Sequence, residues 1–259
     1  MDAVELLFLG SGTSAGIPMI GCRCPVCTST DPHDRRSRPS VLISSGETCV
    51  LVDAAPELRL QCLANGVDRI NAVVFTHAHA DHIMGLDDVR RFNTINHSAM
   101  DVWADRETFE VLQRAFEYAF RAPDPSEQVY RPHLVHRLID GEFQIGPMCW
   151  QPIPLMHGRM NVLGFRVGPL AYCTDVSAIP DQSMPLLEAL DILVLDGLQF
   201  TPHPTHLSID QAVDVARRLG AKRTFLTHIA HQVCHQEASR RLPDGIGLAY
   251  DGLRLTAGS

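Results

Sequence analysis

The chain has 259 residues, 45% of them hydrophobic, and its 22 basic and 30 acidic side chains leave a formal net charge of −8. That length suits one α/β domain over residues 1–259 with a sizeable core. The negative balance, with no long basic block, argues against gripping nucleic-acid backbones, and no apolar run approaches the ~18 residues that cross a bilayer.

The N-terminus has no basic region followed by an apolar segment, so the expectation is a soluble, cytoplasmic protein without a membrane partner. Residues 4–9 have strand composition, and the glycine-rich stretch 10–16 ends that strand. It lacks both the Walker lysine and a complete Rossmann spacing, so it reads as a turn rather than a phosphate cradle. Cys22, Cys24 and Cys27 follow in a loop bent at Gly21 and Pro25. In a reducing compartment such a trio means metal before disulfide, and tetrahedral zinc would need one more ligand.

Residues 41–43 and 49–52 predict two strands joined through 44–48, with Asp53 at the end of the second. Residues 58–65 predict a helix closed by Gly66. The β-branched and aromatic run 72–76 predicts a buried strand that delivers His77-Ala78-His79-Ala80-Asp81-His82 as a loop at its end. Four potential ligands within six residues point to metal: His77 and His79 can aim at one ion while Asp81 and His82 turn towards a second.

Residues 93–101 read as a polar connection into a short strand near 102–103. Over 107–121 the side chains of Phe109, Leu112, Phe116 and Phe120 recur at helical spacing, giving a face for core or subunit contact. Residues 122–133 are proline-rich and read as a surface loop, with a lid over a pocket as the alternative. The strand-like run 148–156, interrupted by prolines, precedes His157. Further short strands at 170–174, 192–195 and 224–227 end at Asp175, Asp196 and His228. Polar residues that recur after apolar strands are placed to meet in one cleft at a sheet edge. Ser208 and Gln211 form a capping-box pattern for a helix ended by Gly220, which starts two residues after His206. His228 faces the main cluster, and His231 is a candidate fourth partner for the cysteines.

The cluster at 77–82, followed at wide spacing by His157, Asp175 and His228, resembles the metallo-β-lactamase superfamily of hydrolases. More narrowly, Gly10-Ser11-Gly12-Thr13-Ser14, Gly21-Cys22-Arg23-Cys24-Pro25-Val26-Cys27, Thr205-His206-Leu207-Ser208 and Thr227-His228-Ile229-Ala230-His231-Gln232 look like the phosphoribosyl cyclic phosphate phosphodiesterases of the carbon–phosphorus lyase pathway. The likeness spans nearly the whole chain and implies a four-layer αββα sandwich, with the site along one rim of the two sheets, and often a homodimer. It implies that His77, His79 and His157 hold one divalent metal, manganese or zinc, that Asp81, His82 and His228 hold another, and that Asp175 bridges them. Cys22, Cys24, Cys27 and His231 would form a separate structural zinc site. The implied activity is hydrolysis of a small cyclic phosphate or nucleotide-like phosphodiester by a hydroxide that the two metals activate. The candidate catalytic residues are His206, as proton donor or phosphate contact, and Asp81. One alternative is a ribonuclease Z-like RNA endonuclease, against which the negative charge and the lack of a basic, glycine-rich arm stand. The other is a metal-binding accessory protein of cofactor biosynthesis, similar in its cysteine loop to a pyrroloquinoline quinone biosynthesis protein; a full ligand set favours catalysis over that.

Overall fold

The structure is a computed structural model that describes residues 3–122 and 129–258. The first sheet opens with β1 (Val4–Gly10), β2 (Ser40–Ser45) and β3 (Thr48–Val52), after which α1 (Leu58–Asn65) crosses to β4 (Ala72–Val74). A single helical turn, α2 (Ala80–Ile83), and α3 (Arg90–Asn96) lead to β5 (Met100–Ala104), and α4 (Arg106–Ala115) and α5 (Glu117–Phe120) lead to β6 (Leu134–Leu138). The second sheet is built from β7 (Phe143–Ile145), β8 (Met148–His157), β9 (Met160–Val167), β10 (Leu170–Cys173) and β11 (Ile192–Asp196). It continues through α6 (Ile209–Leu219), β12 (Arg223–Thr227), α7 (His235–Arg241) and β13 (Ile246–Leu248), while β14 (Arg254–Ala257) returns to β1. The strand orders are β14-β1-β2-β3-β4-β5-β6 and β13-β12-β11-β10-β9-β8-β7.

Alternation along the strands makes the layers. Leu6 and Phe8 of β1, Val41 and Ile43 of β2, and Val50 and Val52 of β3 face Trp150, Phe165, Tyr172 and Val194 of the second sheet in one shared core. The other face of the first sheet packs Leu7, Leu51 and Val73 against Leu58 of α1, Phe92 of α3 and Leu112 of α4. The second sheet turns Leu193, Leu195 and Leu226 to Ile209 and Ala212 of α6 and Ala238 of α7. This is the expected αββα sandwich. Among the described residues no helix is long and apolar enough to cross a membrane.

Several local expectations hold. Gly66 ends α1 in the left-handed conformation (φ 65°), its N–H bonded to the Cys62 carbonyl. Both halves of the Ser208–Gln211 capping box form. Others need correction. Asp81 and His82 lie on the α2 turn rather than in a loop, and α3 occupies part of the stretch read as a polar connection, because Phe92 alone anchors it in the core. The helix over 107–121 breaks at Phe116 (φ −127°, ψ 36°), although that ring stays buried. Pro152 and Pro154 do not interrupt β8: β7 pairs only with Met148, Cys149 and Trp150, so the prolines lie where β8 has β9 on one side and no β7 ladder on the other. Half of the 122–133 loop, residues 123–128, and with it the lid alternative, lies outside the described residues.

Candidate metal centre

In the first sheet β3 and β4 run parallel, and in the second β10, β11 and β12 do. The residues that come after these strands therefore collect along one rim. His77 and His79 come after β4, and the α2 turn presents Asp81 and His82. From the second sheet come His157 at the end of β8, Asp175 after β10 and His228 after β12. Asp53, Asp175 and His228 adopt left-handed backbone angles, with φ of 61°, 55° and 60°.

Asp175 is the hub. Its Oδ1 lies 3.3 Å from His82 Nε2, and its Oδ2 lies 3.5, 3.8 and 3.9 Å from the Nε2 atoms of His228, His157 and His77. Asp81 Oδ2 lies 3.4 Å from His82 Nε2 and 3.7 Å from His228 Nε2. One ligand atom from each of His77, His79, His157 and Asp175 lies within 4.8 Å of the others, and the same holds for Asp81, His82 and His228 and for Asp175, His206 and His228. His79 is exposed; the other six of the first two groups are buried.

The outer edges of the rings are held by partners that fix which nitrogen turns inward. His77 Nδ1 donates to Thr76 Oγ1 at 2.9 Å, and His82 Nδ1 donates to Asp53 Oδ2 at 2.7 Å. His157 Nδ1 donates to the Thr205 carbonyl at 2.7 Å, and His206 Nδ1 bonds Asp196 Oδ2 at 2.6 Å. Asp53 also accepts from the Thr76 N–H and hydroxyl. Left over are His77 Nε2, His82 Nε2 and both nitrogens of His228, all buried with no hydrogen-bond partner among the described residues. Orphaning such atoms costs about 1–3 kcal/mol each. Converging lone pairs beside two carboxylates fit divalent cations, which remove that cost.

The electrostatics agree. Burial disfavours charge on His82, yet the carboxylates of Asp175 and Asp53 outweigh it and hold the imidazole well above its ordinary range. Burial likewise opposes ionisation of Asp175, but His228 and His82 keep its carboxyl well below the usual carboxylate range. The pocket thus prefers anionic carboxylates with positive charge beside them. Burial, then the charge of His228, pushes His206 down to about 4.

A second cluster lies apart. Nδ1 of His231 is 3.4, 3.5 and 3.7 Å from the Sγ atoms of Cys22, Cys24 and Cys27. Backbone N–H groups of Cys27 and Met19 point at the sulfurs of Cys24 and Cys27. The N–H of Cys27 first, then His231, lowers Cys24 to about 6, whereas burial pushes Cys27 up to about 11. A divalent cation among three sulfurs and an imidazole would let all three thiols ionise.

The structure brings together every ligand candidate read from the sequence. What sequence reasoning missed are the orienting partners. Asp53 and Asp196 were visible as strand-end acids, but nothing in the sequence pairs them with His82 and His206. The glycine-rich loop is a turn: Ser11 binds Asp251 through its N–H and hydroxyl, and Gly12 N–H bonds the Ser37 carbonyl.

Comparison with known proteins gives a consistent frame. The family described as a β-lactamase superfamily domain matches residues 48–229. The fold is similar to a crystal structure described as a new diphosphatase from the PhnP family, with a TM-score of 0.91 and 44% identity over 98% of this chain and 97% of that one. An octanoyltransferase of Porphyromonas gingivalis is 36% identical over 96% of this chain, which spans only 51% of that protein's length. Coenzyme PQQ synthesis protein B of Methylobacterium sp. is 26% identical over 98% of this chain and 100% of its own.

Proposed function

The chain belongs to the β-lactamase superfamily, and from that premise we propose that it is a metal-dependent phosphodiesterase acting on a small phosphodiester. His77, His79, His157 and Asp175 would hold one divalent cation, and Asp81, His82 and His228 a second, with Asp175 between them; manganese and zinc both suit these donors. The observation that carries the reading is the set of buried, unpartnered imidazole nitrogens around Asp175. Likeness to a diphosphatase supports phosphoryl chemistry in particular. Two bound cations supply an acidified water and offset the charge on a phosphoryl oxygen.

The chain's own groups do the rest. Asp81 orients the attacking water by accepting its hydrogen. His206, held neutral by burial and tied at its Nδ1 edge to Asp196, would serve as a contact for the phosphoryl group rather than as its proton donor. Cys22, Cys24, Cys27 and His231 hold a structural zinc. We place the activity in the cytoplasm, in one domain and in a homodimer, whose mass sedimentation would measure.

The test is direct. Protein loaded with Mn²⁺ or Zn²⁺ should hydrolyse bis(p-nitrophenyl) phosphate, and His79→Ala should abolish turnover. No hydrolysis with any metal overturns the proposal. A panel of cyclic phosphates, nucleotides, diphosphate esters and precursor tRNA then identifies the substrate class.

A further inference from the structure

The carbonyl that orients His157 sits on a loop with little room to move. Residues 197–208 leave β11 and enter α6, and the loop is closed across its neck: Leu198 N–H bonds the Leu207 carbonyl at 3.0 Å and Ile209 N–H the Gln199 carbonyl at 2.8 Å. Leu207 N–H also bonds the carbonyl of Val176, the residue after Asp175, at 2.6 Å. Thr205 lies at the end of the span so held, its carbonyl accepting from His157 Nδ1 at 2.7 Å. His206 follows, its ring 4.6 Å from that of His157. One short stretch of backbone therefore holds a ligand of the centre and carries the contact for the phosphoryl group.

Gly158 sets how close that stretch can come. It is the first residue of the turn between β8 and β9, directly after His157, with φ 64°. Its N–H donates to Ser177 Oγ at 2.8 Å, and Ser177 Oγ donates in turn to the Met156 carbonyl at 3.0 Å, so the turn is tied down. A Cβ at position 158 would stand 2.9 Å from Thr205 Cγ2 and 3.6 Å from Thr205 Cβ. The first separation is well inside the ~3.5–4.0 Å at which carbon atoms rest, and the second is ordinary contact. Thr205 is β-branched and its Oγ1 lies 3.2 Å from His203 Nδ1, so turning χ1 to clear the methyl gives up that contact. The backbone of Thr205 then has to yield, and its carbonyl draws off His157.

We infer that Thr205 is a positioning residue for the cation held by His77, His79, His157 and Asp175, and that the bare Cα of Gly158 is what lets its carbonyl reach the ring. An imidazole that loses its outer acceptor is free to swing and presents Nε2 poorly. Given the two-cation reading on which this rests, disturbing the contact should weaken that cation and spare the one at Asp81, His82 and His228.

Zinc titration against a chromophoric chelator, with proton NMR of the imidazole N–H signals, tests this. Gly158→Ala, and Gly158→Asn, whose side chain tolerates the left-handed backbone better, should weaken one zinc step about 10–100-fold and leave the others unchanged. In both, the hydrogen-bonded His157 N–H signal, assigned by its loss in His157→Gln, should vanish or move upfield. Thr205→Ser removes Cγ2 and should alter neither reading by itself. Combined with Gly158→Ala it should restore both, while the melting temperature stays lowered by the strained alanine. Wild-type zinc steps or an unmoved N–H signal in a folded glycine variant overturn the inference. So does a loss that Thr205→Ser fails to restore, since backbone strain at position 158 would then be the cause. The N–H signal is read in zinc-free protein as well, and no reading needs turnover. Absent zinc binding or absent hydrolysis of bis(p-nitrophenyl) phosphate would therefore remove the metal-dependent phosphodiesterase reading while the placement of His157 is still decided.

Discussion

Asp53 takes three hydrogen bonds in a fully buried setting: from the Thr76 N–H, from the Thr76 hydroxyl and from His82 Nδ1. An amide in its place keeps the volume but has one oxygen for these donors. Asp53→Asn should therefore weaken metal binding about 10–100-fold while the protein remains folded, which metal titration measures; wild-type affinity would mean that Asp53 does not orient His82. Elsewhere, His235 Nδ1 accepts from buried Arg36 Nη2 at 3.0 Å, and burial first, then that guanidinium, pushes the imidazole from 6.5 down to about 4. Between those values the unfolded chain binds more protons than the folded one. Stability should accordingly be full above pH ~6.5 and decline as pH falls towards ~4. His235→Asn should flatten that decline in urea midpoints; an equally steep fall in the variant would locate the acid sensitivity elsewhere.

At the scale of elements, the cysteine loop is pinned to the segment after β12. The His231 contacts make that link, and the glycine-rich loop is tied to the same segment, Thr13 N–H bonding the Ile229 carbonyl and Ile229 N–H the Ser11 carbonyl. Cys24→Ser should lower zinc content by about one per chain and lower the melting temperature; unchanged zinc by elemental analysis would refute a structural site. The elements legible in the sequence were those with local punctuation, such as α6 between its capping box and Gly220, or β4 running into the histidines. Others carried no such mark. The three-residue β7 and β13 are too short for a period, and Asn161, Gly164 and Arg166 dilute the apolar pattern of β9. In α3 only Phe92 is buried, so no stripe advertises it. Site ligands were legible because strand ends concentrate them. Their orienting partners were not: the Asp53–His82 and Asp196–His206 pairs are made by backbone geometry that no spacing encodes.

For the whole molecule, the centre draws its groups from both sheets: His77, His79, Asp81 and His82 from the first, and His157, Asp175 and His228 from the second. Bound cations would add a link at the rim of a sandwich otherwise joined by apolar contacts and by hydrogen bonds such as Leu163 N–H to the Thr76 carbonyl. Chelation should therefore lower the melting temperature by about 5–10 °C and speed amide exchange in the residues after β4, β10 and β12, leaving β2 and β11 protected. Equal melting temperatures with and without chelator would contradict this. The left-handed backbones of Asp53, Asp175 and His228 extend the point. Each such non-glycine residue costs about 1–2 kcal/mol, and together they weigh against a typical net stability of about 5–15 kcal/mol. A laboratory lineage selected for heat tolerance alone would find relief in glycine at position 228, and with it would discard an imidazole of the cleft. Thermal selection and chemistry pull this chain in opposite directions at the same turns, so any directed-evolution scheme has to screen for both at once.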